Sequence, residues 1–213
     1  RPERRNALTE AGLAELERSV ADASEPVLYL TGAGSAFCAG ADLDVVSSLD
    51  PEDAAAFAEL GQRVASALES YEGAVVAGID GPARGGGVEL ALACDLRVAT
   101  PAASFAESGV SLGLFGAWGG TARLPRIVGE GAALDIGLSG RVLDAEEAHR
   151  LGLCDRLVED PYAVAASLAD NDPAAMRTIK RRLRDRDSVG KQERREQAAF
   201  AELIDRFDGP PER

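Results

Sequence analysis

The stretch Ile79–Asp95, IDGPARGGGVELALACD, decides how the rest of the chain reads. It follows an apolar run, Ala74–Ile79, that predicts a buried strand. Its three glycines, Gly85, Gly86 and Gly87, feed VELALA, a run of helix formers with no breaker. Glycine permits positive φ and close backbone approach. The amides that open a helix have no intrahelical acceptor and sit at the positive end of its dipole. A triple glycine entering a helix is therefore suited to hold a developing negative charge. Glu89, just inside that helix, is placed to move a proton beside it. Taken alone, the stretch also reads as a plain strand-to-helix turn carrying an exposed glutamate.

A second stretch changes the balance. Thr31–Asp44, TGAGSAFCAGADLD, also follows an apolar strand, Val27–Leu30, and contains a tight small-residue turn at Gly40-Ala41-Asp42. Two such turns can each aim one N–H at a single oxygen, which makes an oxyanion hole.

With these two stretches in place the chain resembles the crotonase, or enoyl-CoA hydratase/isomerase, superfamily. The segments that carry the resemblance are RPERRNAL, GAGSAFCAGADL, GIDGPARGGGVELALACDLRVAT, GLFGAWGGTARLPRIVG and LSGRVLDAEEAHRLGLCDRLV, in the family's order from Arg1 to Val158. The resemblance implies an α/β fold, a crotonase-like (ClpP/crotonase) spiral of ββα units, with a C-terminal helical region. It divides the chain into a core, 1–160, and a helical region for oligomerisation, 161–213. The sequence begins at Arg1, so the strand that family members carry before this first segment is not within it, and the first sheet edge is not predicted.

Carried over motif by motif, the oxyanion hole falls to the N–H groups of Ala41 and Gly86, and the first family glutamate to Glu89. The family's second glutamate belongs to an FGxPEIxLG stretch. The corresponding run here is Phe105–Gly113, and Gly109 stands at the glutamate's position. Glu107 lies two residues earlier and, on a strand, would face the same side. It reads either as a displaced second acid or as a surface carboxylate. Coenzyme A contacts are implied for Arg4, Ala39, Ala41, Asp42 and Leu43. Phe115 and Trp118 line the acyl pocket or pack as core. The expected reaction is hydration of a 2-enoyl-CoA. The alternatives are double-bond isomerisation, or acyl-CoA binding without turnover. Coenzyme A enters as part of the substrate, and no separate cofactor or metal is expected.

Composition sets the outer limits. The 213 residues, 46% apolar, suffice for one domain with a large core. No apolar run is long enough to span a membrane, and no signal peptide is visible. With 36 acidic against 23 basic residues the net charge is −13, which opposes nucleic acid as a partner. Lys180 and Lys191 are the only lysines. Such a surface suits a salt-rich cytoplasm, where screening limits self-repulsion. Cys38, Cys94 and Cys154 form no CxxC pair, which points to a reducing, cytoplasmic setting. Cys38 reads as a buried hydrophobe or a nucleophile. His149 has no metal-ligand pattern around it. No GxGxxG fingerprint or P-loop is present. The resemblance implies a homotrimer or hexamer. The basic cluster Arg177–Arg186 reads as a solvated face paired with Asp185 and Asp187, or as a phosphate contact.

Overall fold

A computed structural model describes residues 1–207 and 209; the remainder of the 161–213 range lies outside the described residues. The chain runs through repeated strand–strand–helix units. The first stretch holds α1 (Glu10–Asp22), β1 (Val27–Thr31), α2 (Leu43–Val46) and α3 (Pro51–Ser70). Next come β2 (Ala74–Ile79), β3 (Pro82–Arg84) and α4 (Gly86–Ala93), then β4 (Leu96–Ala99), β5 (Ser104–Ala106) and α5 (Gly120–Val128). The chain continues with α6 (Glu130–Ser139), β6 (Leu143–Asp144), α7 (Ala145–Arg150) and β7 (Arg156–Leu157). Three helices follow: α8 (Pro161–Ala169), α9 (Pro173–Leu183) and α10 (Val189–Ile204).

Two sheets result. The larger has the order β1-β2-β4-β7, parallel throughout. The smaller has the order β3-β5-β6, with β6 antiparallel. Because β2 lies inside the parallel sheet with helices on both faces, it reads as an unbroken apolar run rather than an alternation. One face packs on the main core with Leu13, Val64, Leu68, Val88 and Leu92. The other is covered by α8, whose Val164 and Ala165 meet Val76 and Val98. Tyr162 of α8 also meets Tyr29 of β1 edge-on, at 5.5 Å.

Local chemistry fixes the helix starts. Thr9 caps α1 by accepting from the Gly12 N–H, and Asp50 accepts from Glu52 and Asp53 with Pro51 in the first turn of α3. The second helix is a single turn, Leu43–Val46, capped by Asp42, and the last strand spans only Arg156–Leu157. The basic cluster also differs from its reading as a solvated face. Asp95, at the end of the opening motif, accepts from the Val75 N–H at 2.8 Å and takes Lys180 at 2.7 Å and Arg184 at 2.8 Å. Lys180 reaches the Tyr71 and Gly73 carbonyls as well, at 2.6 and 2.8 Å. These two basic residues pin α9 to the sheet. Asp185 keeps one partner from the cluster, Arg182 at 3.5 Å, and with Asp187 also pairs with Arg195 of α10, at 2.7 and 2.8 Å.

Candidate active site

The two loops singled out in the sequence are bound to each other. Cys38 bridges to Ala83 of β3, with its carbonyl accepting from Arg84 N–H at 2.9 Å. Gly40, at φ +85°, lies so close to the second loop that a Cβ there would stand 2.6 Å from the Arg84 carbonyl oxygen and 3.0 Å from the Gly86 nitrogen. Only glycine fits both the dihedral and the space. Ala41 and Gly86 thus line one cavity of about 240 Å³, shared with Ala39, Leu43, Gly109 and Trp118. Neither the Ala41 nor the Gly86 N–H donates to another protein group among the described residues. Two free donors on one concave wall can hold an oxyanion.

Glu89 is 1% exposed and stands at the junction of this cavity with a second one of about 410 Å³. Its Oε1 accepts from the Trp118 N–H at 2.9 Å and the Gly120 N–H at 2.7 Å. Its Oε2 accepts no protein hydrogen bond and is not sealed from the cavities. One oxygen is held and the other left for a ligand or water. Burial pushes the Glu89 pKa above the ordinary carboxylate range, while the two N–H donors and the Arg123 charge oppose it. Arg123 also holds the supporting loop, donating to the Trp118 carbonyl at 3.3 Å while paired with Glu69 at 2.6 Å.

Glu107 borders the second cavity together with Glu89. It does not lie on a strand: β5 ends at Ala106, and Gly109 belongs to a 3-10 turn, Ser108–Leu112, so side-chain alternation does not relate the two positions. Glu107 reaches the cavity from its own position. Its Oε1 is buried without a hydrogen-bond partner. Burial, and then the neighbouring Glu89 charge, push its pKa up to about 8. Burial raises both carboxyls, but Glu89 is held by two N–H donors while Glu107 Oε1 has none. Such unlike surroundings suit a division of acid and base roles.

The other predicted residues fall as follows. Asp42 is 2% exposed; its Oδ1 accepts from the Asp44 N–H and its Oδ2 pairs with Arg1 at 2.8 Å. Arg4 lies exposed and pairs with Asp44 and Asp42, and Leu43 is exposed at the cavity rim. Phe115 lines both cavities and is 72% exposed. Trp118 is 3% exposed and packs edge-to-face on Phe57 at 5.8 Å. Cys38 is buried, and burial pushes its thiol up to about 11, the behaviour of a packed side chain rather than a nucleophile. His149 is exposed, with Nδ1 3.0 Å from the Cys154 carbonyl oxygen. Sequence reasoning did not find the N–H groups of Trp118 and Gly120 that hold Glu89. The available signal is GLFGAWGGT, the glycine-rich run before α5, whose side chains at Phe115 and Trp118 read as pocket or core while its main-chain donors leave no residue-type signature. Among the described residues, no three His, Cys, Asp or Glu side chains are grouped to hold a metal ion, and no helix is long and apolar enough to cross a membrane.

Strand–strand–helix units with a glycine-opened helix that carries a buried glutamate define the crotonase class of fold. The chain belongs to the enoyl-CoA hydratase/isomerase family, whose model matches residues 1–207. It is 40% identical over 164 residues to the crotonyl-CoA hydratase of Syntrophomonas wolfei, a match spanning 75% of this chain and 63% of that protein. It is 35% identical over 191 residues to the short-chain-enoyl-CoA hydratase of Clostridium acetobutylicum, covering 84% and 73%. Among solved structures, the enoyl-CoA hydratase from Thermoplasma volcanium superposes with a TM-score of 0.91 at 30% identity, over 96% of this chain and 86% of that one. That from Bacillus anthracis gives 0.90 at 33% identity, over 96% and 84%.

Proposed function

We propose that this chain adds water across the double bond of 2-enoyl-CoA thioesters, giving 3-hydroxyacyl-CoA. The observation that carries this reading is the Glu89 carboxylate, with Oε1 fixed by two N–H groups and Oε2 left free. The thioester oxygen lies between the Ala41 and Gly86 N–H groups. Glu89 takes a proton from water as its oxygen bonds to C3, and the electron pair of the double bond moves toward the thioester as an enolate. Glu107 supplies the proton that C2 receives, which its high pKa favours at neutral pH. Afterwards the proton on Glu89 returns to Glu107, directly or through water. One oxyanion donor of this kind contributes about 3–4 kcal/mol.

The chemistry needs neither metal nor redox cofactor. Coenzyme A arrives with the substrate, against Ala39–Leu43 and Arg4. Exposed apolar side chains on α9 and α10, among them Leu183, Phe200 and Ile204, support a trimer-based assembly. Three buried, unpaired cysteines support a reducing cytoplasm.

The test is turnover of a short 2-enoyl-CoA, followed by loss of the conjugated absorbance with identification of the product. Glu89→Gln, which keeps an acceptor for both N–H groups, should lower kcat by about 10²–10⁴. Wild-type turnover in that variant sinks the assignment. A shifted double bond in the product would establish isomerisation instead, and tight binding without turnover an acyl-CoA binder.

A further inference from the structure

The cavity beyond Glu89 is long in one direction. One wall follows α6 from Glu130 through Ala133, Leu134 and Gly137 to Leu138, about 12 Å at the helical rise. Leu124 and Pro125 of α5 supply part of the rest, and the lining is mostly apolar. Its depth exceeds what a four-carbon acyl group needs.

Gly137 is the informative residue. It lies inside α6, where glycine is disfavoured by about 1 kcal/mol relative to alanine. A Cβ built there meets nothing within 4 Å, so no packing contact or positive φ requires glycine. Gly116 and Gly120 border the same cavity, but there a Cβ would press on the Glu89 side chain. The space over Gly137 is therefore open to a ligand. At Gly61 of α3 the opposite direction is filled by Trp118. A Cβ on Gly61 would stand 2.1 Å from its ring, and one on Gly86 2.3 Å. The indole fills the gap between Gly61 and the glycine loop. The space left along α3, at Ala54, Phe57 and Ala58, belongs to the cavity of about 240 Å³, and the α5–α6 direction offers the larger one of about 410 Å³.

We infer that Gly137 sets acyl-chain length: the tail of a straight-chain substrate longer than four carbons lies over Gly137, between α5 and α6, with Trp118 narrowing the alternative path along α3. This rests on the reading of the site as one for acyl-CoA.

Gly137→Leu tests it, since leucine is a better helix former than glycine and its side chain enters open space. Rates with four-carbon and ten-carbon 2-enoyl-CoA, and calorimetric binding of butyryl-CoA and decanoyl-CoA, are compared with wild type, with thermal melting as the folding control. The four-carbon values should stay within about twofold, while the ten-carbon kcat/KM and decanoyl-CoA affinity fall about tenfold or more. Gly137→Ala should show an intermediate loss. Equal loss at both lengths, or no loss at ten carbons in a folded Gly137→Leu variant, overturns the inference. If wild type turns over no enoyl-CoA, the hydratase reading fails and the binding ratios alone decide the role of Gly137.

Discussion

Replacing Gly120 by alanine sets two local effects against each other. Gly120 opens α5, and removing a glycine from a helix ordinarily stabilises it by up to ~1 kcal/mol. Here the added Cβ would lie 2.8 Å from Glu89 Cγ and Oε1 and 3.2 Å from Cδ. Glu89 is buried beneath Gly116 as well, where a Cβ would stand 2.7 Å from its carboxylate, so it has little room to retreat. Overpacking costs about 1–3 kcal/mol. Displacing the carboxylate also loosens two charge-assisted hydrogen bonds, each worth about 1.5–3 kcal/mol. The clash and the lost bonds therefore outweigh the propensity gain, and Gly120→Ala should be destabilised by about 2–4 kcal/mol, with kcat down roughly 10²-fold from misplacement of the base. Denaturant unfolding and hydration kinetics on the same preparations measure both. Gly137→Ala is the internal control: the same change in open space should raise stability by about 0.5–1 kcal/mol. A Gly120→Ala variant as stable and active as wild type would refute the claim that this glycine exists to house Glu89.

Glu107→Gln should stabilise the fold increasingly as pH rises. The wild-type carboxyl has a folded pKa raised from 4.5 to about 8, so its protonated form favours the folded state. That stability is full below pH 4.5 and is lost as pH climbs toward 8, amounting to about 3 kcal/mol by pH 7. Melting curves at pH 5 and pH 8 check this, and a pH-independent difference in Tm would contradict it. Asp95→Ala should cost about 2–4 kcal/mol, because Lys180 and the Val75 N–H lose their partner in a half-buried position. Hydrogen exchange should show α9 opening before the central strands, and unchanged α9 protection would remove Asp95 from its pinning role.

The catalytic frame was legible because it is written locally. Gly85–Gly87 before VELALA, and Gly40 in a small-residue turn, are backbone requirements that leave a trace at fixed positions. The stretch from Phe105 to Thr121 resisted for a physical reason. Its path is set by what it must surround, namely the Glu89 carboxylate and the Trp118 indole, and both partners lie in distant elements. Gly61 illustrates the point: in the sequence it is one glycine within the apolar pattern of α3, a local defect with no evident cause. Its reason is the Trp118 ring, 57 positions later, which needs the missing side chain's space.

The same reasoning bears on the absent family glutamate. Gly109 marks a vacancy when motifs are matched position by position. In the folded chain, the 3-10 turn after β5 puts Glu107 at the cavity wall. What acid–base chemistry constrains is the location of a carboxyl group, not its place in a motif. A buried oxygen without a partner costs on the order of 1–3 kcal/mol. Glu107 Oε1 bears such a cost on the wall of the cavity shared with Glu89. A surface carboxylate bears no such cost, whereas the proposed proton donor has to bear it in order to reach a substrate.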